Sequence, residues 1–116
     1  MITLKTLEKA TAREVFEQVK THLLTQNEKC GTGNPNSTQC LLRNDKGLNC
    51  AAGCLISDEE YKEEWEGTGP WRFLVAHNKV PGAHCYLISN LQKVHDVHAV
   101  KHWSEELDKV EREYLS

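Results

Sequence analysis

Three stretches of the chain place apolar side chains at the spacing of one helix face. In the first, Val15, Phe16, Val19 and Leu23 recur at steps of 1, 3 and 4, while Arg13, Glu17 and Lys20 fall on the opposite side. Thr11-Ala12-Arg13-Glu14 precedes it as a capping box, the Thr side chain accepting from free amides and the Glu reaching back. The pattern predicts a helix ending near Gln26–Lys29. In the second stretch, Leu87, Ile88, Leu91 and Val94 predict a helix that follows Pro81, a residue tolerated in a first turn, and runs to about Asp96. In the third, Val100, Trp103, Leu107, Val110 and Tyr114 step by 3, 4, 3 and 4, a clean amphipathic stripe. Two shorter elements are predicted between these. One is an acidic helix capped by Ser57-Asp58-Glu59-Glu60 and reaching about Trp65; the other is a helical turn over Trp71 to His77 with Trp71, Leu74 and Val75 inward. Glu66 to Pro70 separates the two, and residues 2–4 suit a short strand or an extended arm.

Between the first and second helices the period changes. Cys30 to Thr38, CGTGNPNST, is dense in turn formers and reads as a loop and a natural binding lip. Cys40 to Arg43 is a short apolar run, Asn44-Asp45-Lys46-Gly47 a tight turn with Gly47 suited to positive φ, and Leu48 to Ile56 a returning strand. The small Ala51, Ala52 and Gly53 mark a close approach of another element. The expectation is a single α+β domain over residues 1–116, with four or five helices packed around a small antiparallel β-hairpin or sheet.

Composition narrows the function classes. With 116 residues, 39% hydrophobic and 27% charged, the chain has the balance of an ordinary folded domain with one modest core. A net charge of −3 and the lack of any Lys/Arg run argue against nucleic-acid binding through phosphates. No stretch of about 18 apolar residues is present, and MITLKTLEKATAREVF lacks the apolar centre of a signal peptide. A cytoplasmic protein with no membrane partner is therefore expected. Cys30, Cys40, Cys50, Cys54 and Cys85 are odd in number, which in such a chain reads as reduced thiols rather than a disulfide framework.

Several residues could carry chemistry. Cys50 and Cys54, with Cys40 ten residues before Cys50, could offer three thiolates to zinc, with His95 or His84 as the fourth ligand. Against that, residues four apart on a strand lie about 13 Å from each other, so buried structural thiols and no cofactor are the expectation. His95, His98 and His102 would form a histidine stripe on one unbroken helix, but residues 97–99 look like a junction between two helices. His95 and Asp96 are neighbours about 100° apart around a helix, which predicts no direct hydrogen bond between them. One of them instead satisfies backbone groups at a helix end or in the hairpin. Arg43 either bridges to Asp45 across the turn or presents its guanidinium to an anion. Trp65, Trp71 and Trp103 suit core or rim packing, and an exposed one beside the acidic Glu59–Glu66 stretch would mark a protein-binding surface. No phosphate-binding glycine loop of the Walker or dinucleotide type is present.

Cys40, Arg43, Asp45-Lys46-Gly47-Leu48, Cys50-Ala51, Gly53 and Leu55-Ile56, with Asp58 and Tyr61, resemble the core of a family of small uncharacterised proteins of tailed phages and prophages. That family shows Cys-x-Tyr-Arg-x-x-x-Gly-Leu-x-Cys-Ala-x-Gly-Cys-Leu-Ile-x-Asp. The first helix ATAREVFEQVKTHLLTQ, the pairs Leu91-Gln92 and His95-Asp96, and Trp103 are also similar, so the likeness spans nearly the whole chain. Leu42 stands where the family has Tyr. The resemblance implies a setting, since small non-structural phage proteins inhibit a host enzyme, neutralise a defence system or adjust regulation. The first expectation is a non-enzymatic interaction protein that acts on a host protein in the bacterial cytoplasm, as a defence inhibitor would. Its contacts would come from Arg43, Asp45, Trp65, Trp71, His95 and Asp96, with self-association into a homo-oligomer open. The second is an oligomeric binder that sequesters a small nucleotide signal through Arg43 and the Cys30–Thr38 loop. The third is a zinc-dependent fold or hydrolase built on Cys40, Cys50, Cys54 and His95.

Overall fold

The three strong amphipathic stripes form the three long helices of the computed structural model, which describes residues 1–31, 41–67 and 69–115. Helix α1 spans Ala12–Gln26, α2 Trp71–Ala76, α3 Cys85–Val97 and α4 Trp103–Tyr114. The capping box that opens α1 is complete, with Thr11 Oγ1 accepting from Glu14 N at 3.1 Å and Thr11 N donating to Glu14 Oε1 at 2.9 Å. The helix closes on Asn27 in the left-handed region. Helix α3 starts at Cys85, four residues past Pro81, after His84 turns the chain with a φ of 61°. Val15, Phe16, Val19 and Leu23 of α1 are buried, as are Leu87, Ile88, Leu91 and Val94 of α3, and Trp103, Leu107 and Val110 of α4. Tyr114, expected on the α4 stripe, is exposed. Helices α1, α3 and α4 pack pairwise around this core, and α2 packs on α3 through Trp71 and Leu74.

The expected α+β class is not what forms: the fold is mostly helical, with no sheet among the described residues. Among the described residues the expected hairpin reduces to an isolated antiparallel bridge between Arg43 and Asn49. Its turn is present. Gly47 has a φ of +79° and donates to Asn44 O at 3.1 Å, while Asn44 Oδ1 accepts from Lys46 N and Leu48 N. Beside the bridge Cys50 N still donates to Leu42 O at 3.0 Å and Leu41 N to Cys30 O at 2.8 Å, but other backbone groups of the segment are met by side chains of the helices. Gln26 accepts from Asn49 N and donates to Asn49 O, His22 also meets Asn49 O, and Gln92 accepts from Ala52 N. Cys50, Ala51 and Ala52 are buried consecutively, which suits a tight turn inside the core and not the in–out alternation of a strand. Gly53–Leu55 is accordingly a single 3₁₀ turn. The Cys30–Thr38 loop and the Cys40 end of the expected hairpin lie mostly outside the described residues.

The predicted acidic helix from Ser57 to Trp65 is also absent. Both of its capping-box bonds form, Glu60 N to Ser57 Oγ at 3.2 Å and Ser57 N to Glu60 Oε1 at 3.0 Å, yet only a turn and the 3₁₀ turn Glu63–Trp65 follow. Glu59/Glu63 and Glu60/Glu64 would be like-charged pairs four apart on a helix, each unfavourable. The Glu60 carboxylate instead accepts from Leu4 N and Lys5 N, both at 3.0 Å. Residues 2–4 form an arm rather than a strand, held to α1 where Ile2 exchanges two hydrogen bonds with the Gln18 amide.

Candidate functional site

His95 and Asp96 sit in the last turn of α3, and they do hydrogen-bond each other. His95 is fully buried and its ring stacks on Trp103 with centroids 5.5 Å apart. Cys30 N is 3.0 Å from His95 Nε2. A backbone N–H can only donate, so Nε2 accepts and the ring proton sits on Nδ1, 2.7 Å from Asp96 Oδ1. The 100° between neighbouring helical residues sets where their Cβ atoms point. It does not set where polar atoms end once stacking and the Cys30 bond have turned the ring. Gln92 Nε2 reaches the same Asp96 oxygen at 2.8 Å, and Gln92 Oε1 accepts from Ala52 N at 2.9 Å. A relay thus runs from Ala52 through Gln92, Asp96 and His95 to Cys30. It ties both flanks of the 31–50 segment to one helix end.

A second cluster fixes the other side of that segment. The Glu66 carboxylate accepts from Leu42 N at 2.8 Å, Arg43 N at 3.2 Å and the Tyr61 hydroxyl at 2.6 Å. Burial, the hydrogen bond to Glu66 and that negative charge together push the Tyr61 hydroxyl well above the ordinary phenol range. Arg43 lies over the Tyr61 ring, 4.1 Å from its centroid. Its partners are Asp58 Oδ1 at 2.8 Å and Ile56 O at 3.1 Å, so the expected bridge to Asp45 is replaced by one to Asp58. Asp58 is 99% exposed, which limits that ion pair to well under about 1 kcal/mol. Arg43 and Asp45 line a shallow cleft of about 660 Å³ together with Lys46, Tyr61 and Glu63. With its two terminal nitrogens engaged, Arg43 serves the fold before it serves an anion.

Between the two clusters lies a cleft of about 650 Å³, in the size range of small-ligand and side-chain pockets. Leu41, Leu42, Ala52, Leu74, Trp65 and Trp71 give it apolar walls, and Glu66, Gln92 and Asp96 bring polar groups to it. Trp65 and Trp71 are 5% and 3% exposed, so no tryptophan stands out as an exposed hot spot; both bound the cleft from within the core. The Trp71 indole N–H is buried with no hydrogen-bond partner among the described residues. Comparison with known families, with curated proteins and with solved structures gives no match. The site therefore has to be read from its own geometry.

Four of the six sequence-predicted residues meet here: Trp65, Trp71 and Asp96 line the cleft, and His95 orients Asp96 from beneath. Arg43 and Asp45 face the neighbouring one. Glu66 and Gln92, which position the walls, were not singled out for a role, although Gln92 stands in the Leu91-Gln92 pair of the family-like pattern. A glutamate ending an acidic run looks like one more solvated charge, and only the fold reveals three donors converging on it.

The alternative zinc set does not assemble among the described residues, where no three His, Cys, Asp or Glu side chains could share a metal. Cys40 lies outside them. Both nitrogens of His95 are engaged, and His84 bonds to Ala10 O at 2.7 Å. Cys50 Sγ accepts from Gly53 N, and Cys54 Sγ donates to Ala51 O. Burial pushes the Cys50 thiol well up and the Cys54 thiol up to about 12, so neither is a ready thiolate. The histidine stripe is broken, since α3 ends at Val97 and a 3₁₀ turn over Val100–His102 intervenes. No described helix is long and apolar enough to cross a membrane.

Proposed function

We propose that this protein acts by binding another protein, without catalysis, and that the cleft between Trp65, Trp71 and the end of α3 is where the partner docks. The observation that carries this is the pairing of a roomy, aromatic-walled cleft with titratable groups already committed to holding its walls. Glu66, Asp96 and His95 spend their hydrogen bonds on Leu42, Arg43, Tyr61, Gln92 and Cys30. Such groups preorganise a binding surface and are poorly placed to shuttle protons. The resemblance of the sequence to a phage family supports a partner in a bacterial host, a defence or metabolic protein that this chain would block. A nucleotide-sequestering role draws less support, because Arg43, its intended phosphate contact, is held by Asp58, Ile56 and Tyr61.

The test is capture from host lysate with the wild-type chain and with Leu41→Arg, which puts a long charged side chain into the cleft. Loss of a captured protein with Leu41→Arg, and its retention with Lys109→Ala on α4, is the expected result. Equal capture by all three, with circular dichroism showing the same fold, would overturn the assignment of the cleft.

A further inference from the structure

The bare nitrogen of His95 holds the backbone that carries one wall of the cleft. Its Nε2 accepts from Cys30 N at 3.0 Å, and Cys30 O accepts in turn from Leu41 N at 2.8 Å. Leu41 lines the cleft. Three other described histidines have polar ring contacts, and none of those contacts is lost on protonation. His22 and His84 face the carbonyls of Asn49 and Ala10 at 2.9 and 2.7 Å, so each donates from Nε2. His98 faces the Glu106 carboxylate at 3.3 Å. At His95 the case is reversed, because a proton on Nε2 occupies the lone pair that the Cys30 N–H uses. The surroundings keep that event local. On the same helix, Asp96 Oδ1 accepts from Nδ1–H at 2.7 Å and keeps that bond when the ring is a cation, braced by Gln92 at 2.8 Å. Lys29 opposes the cation with its Nζ, 3.4 Å from Asp96 O. The Cys30 thiol donates to Leu48 O, and burial keeps the Cys50 thiol neutral. Helix α4 brings the uncharged Trp103 ring, whose Nε1 donates to His98 O. Neither α1 nor α2 hydrogen-bonds or ion-pairs to the ring among the described residues.

We infer that His95 is a proton-operated latch on the cleft: a proton at Nε2 releases the Cys30 backbone and with it the Leu41 wall. The cleft is then assembled at neutral pH and loosened in acid. Its consequence, weaker partner binding in acid, rests on the binding reading above and is the regulation of that site. The latched form cannot take a proton at Nε2, so acid draws the population toward the released form. Asp96 is paired with the ring in both forms, and the Cys30 thiol keeps Leu48 O at 3.2 Å.

The experiment is NMR of the full chain between about pH 8 and pH 5, the interval in which histidine side chains change charge. Long-range ¹H–¹⁵N spectra read the two ring nitrogens of His95. Amide exchange, corrected for its intrinsic pH dependence, reads the protection of Cys30 N–H and Leu41 N–H. The expected result is a bare Nε2 at the upper end that gains a proton within the interval. Protection of both amides should fall about tenfold over that same titration, with the far-ultraviolet circular dichroism unchanged. His95→Gln offers an acceptor and a donor that do not titrate, and should hold both protections within about twofold across the interval. Asp96→Asn keeps an Oδ1 acceptor but removes the charge that steadies the imidazolium, and should move the release to lower pH. The inference is overturned by a proton on Nε2 at the upper end, by an Nε2 bare throughout, or by Cys30 protection that stays constant while Nε2 protonates. Equal loss of protection in folded His95→Gln, or global unfolding in place of local release, overturns it as well. Should His95→Gln fail to fold, release at an unchanged pH in Asp96→Asn counts against the latch. None of these readouts uses a partner. A failed latch therefore leaves the binding reading to its own Leu41→Arg test, and failed capture leaves the latch standing.

Discussion

Replacing Gly53 with alanine tests how the cleft wall is built. A Cβ at residue 53 would lie 2.1 Å from Leu42 O and 3.0 Å from Leu42 C. Non-bonded contacts below 3.0 Å are essentially never seen, so the Leu42 carbonyl must retreat by about 0.9 Å. That carbonyl accepts from Cys50 N at 3.0 Å, and Leu42 N is tethered to Glu66 at 2.8 Å. The retreat therefore breaks a core hydrogen bond against a tether. Overpacking costs about 1–3 kcal/mol, and a buried donor left unpaired about 1–3 more. The expected destabilisation is about 2–6 kcal/mol, which for a chain of this size lowers Tm by about 10 °C or more. Gly47→Ala is the control. Nothing lies within 4 Å of its Cβ, and its cost is the left-handed φ of +79° alone, about 1 kcal/mol. Thermal and urea unfolding followed by far-ultraviolet circular dichroism reads both variants. Gly53→Ala within about 0.5 kcal/mol of wild type, or less damaging than Gly47→Ala, would refute the close approach of Leu42 to residue 53.

Two further outcomes follow from the same geometry. Cys50 and Cys54, buried and with thiols pushed up in pKa, should resist iodoacetamide at pH 8 in the folded protein and react in urea; peptide mass spectrometry showing rapid native labelling of either would contradict their placement. The Glu60 carboxyl is opposed by burial, but Ser57 N, Leu4 N, Lys5 N and the Ser57 hydroxyl outweigh that and hold it below its usual value. Its contribution is thus fully present above the ordinary glutamate range near pH 4.3 and is lost as pH falls through the lower folded value. The gap in urea midpoint between wild type and Glu60→Gln should shrink from pH 7 to pH 3, and a constant gap would show that the arm at Leu4 and Lys5 does not depend on this charge.

The parts of the fold legible from the chain are those decided by one face and one cap. The stripe of α1 and the Thr11 box specify a helix locally, and its buried residues are those its period marks. The 40–56 region misleads because its apolar run is short, and burial on all sides looks the same for a strand and for a coil held in the core. What decides it is remote: Gln26, His22, Gln92 and Glu66 satisfy its backbone from α1, α3 and the chain before α2. The box at Ser57 forms and still fails to start a helix, because the glutamates that follow repel at helical spacing while Glu60 binds the arm. Of the site, Trp71 and the His95–Asp96 pair were visible as residue types, but their meeting at one cleft depends on α2 docking against α3. Arg43 drew attention for its place beside the turn, and its partner proved to be 15 residues away rather than two.

The central claim is that a partner protein enters the cleft. It is tested most directly by placing the photocrosslinker p-benzoylphenylalanine at Pro70, an exposed residue on the cleft, and separately at exposed Lys109 on α4, then irradiating each in host lysate. A discrete adduct from position 70, absent from position 109, is the predicted result. No adduct from position 70, or the same adduct from both positions, would contradict it.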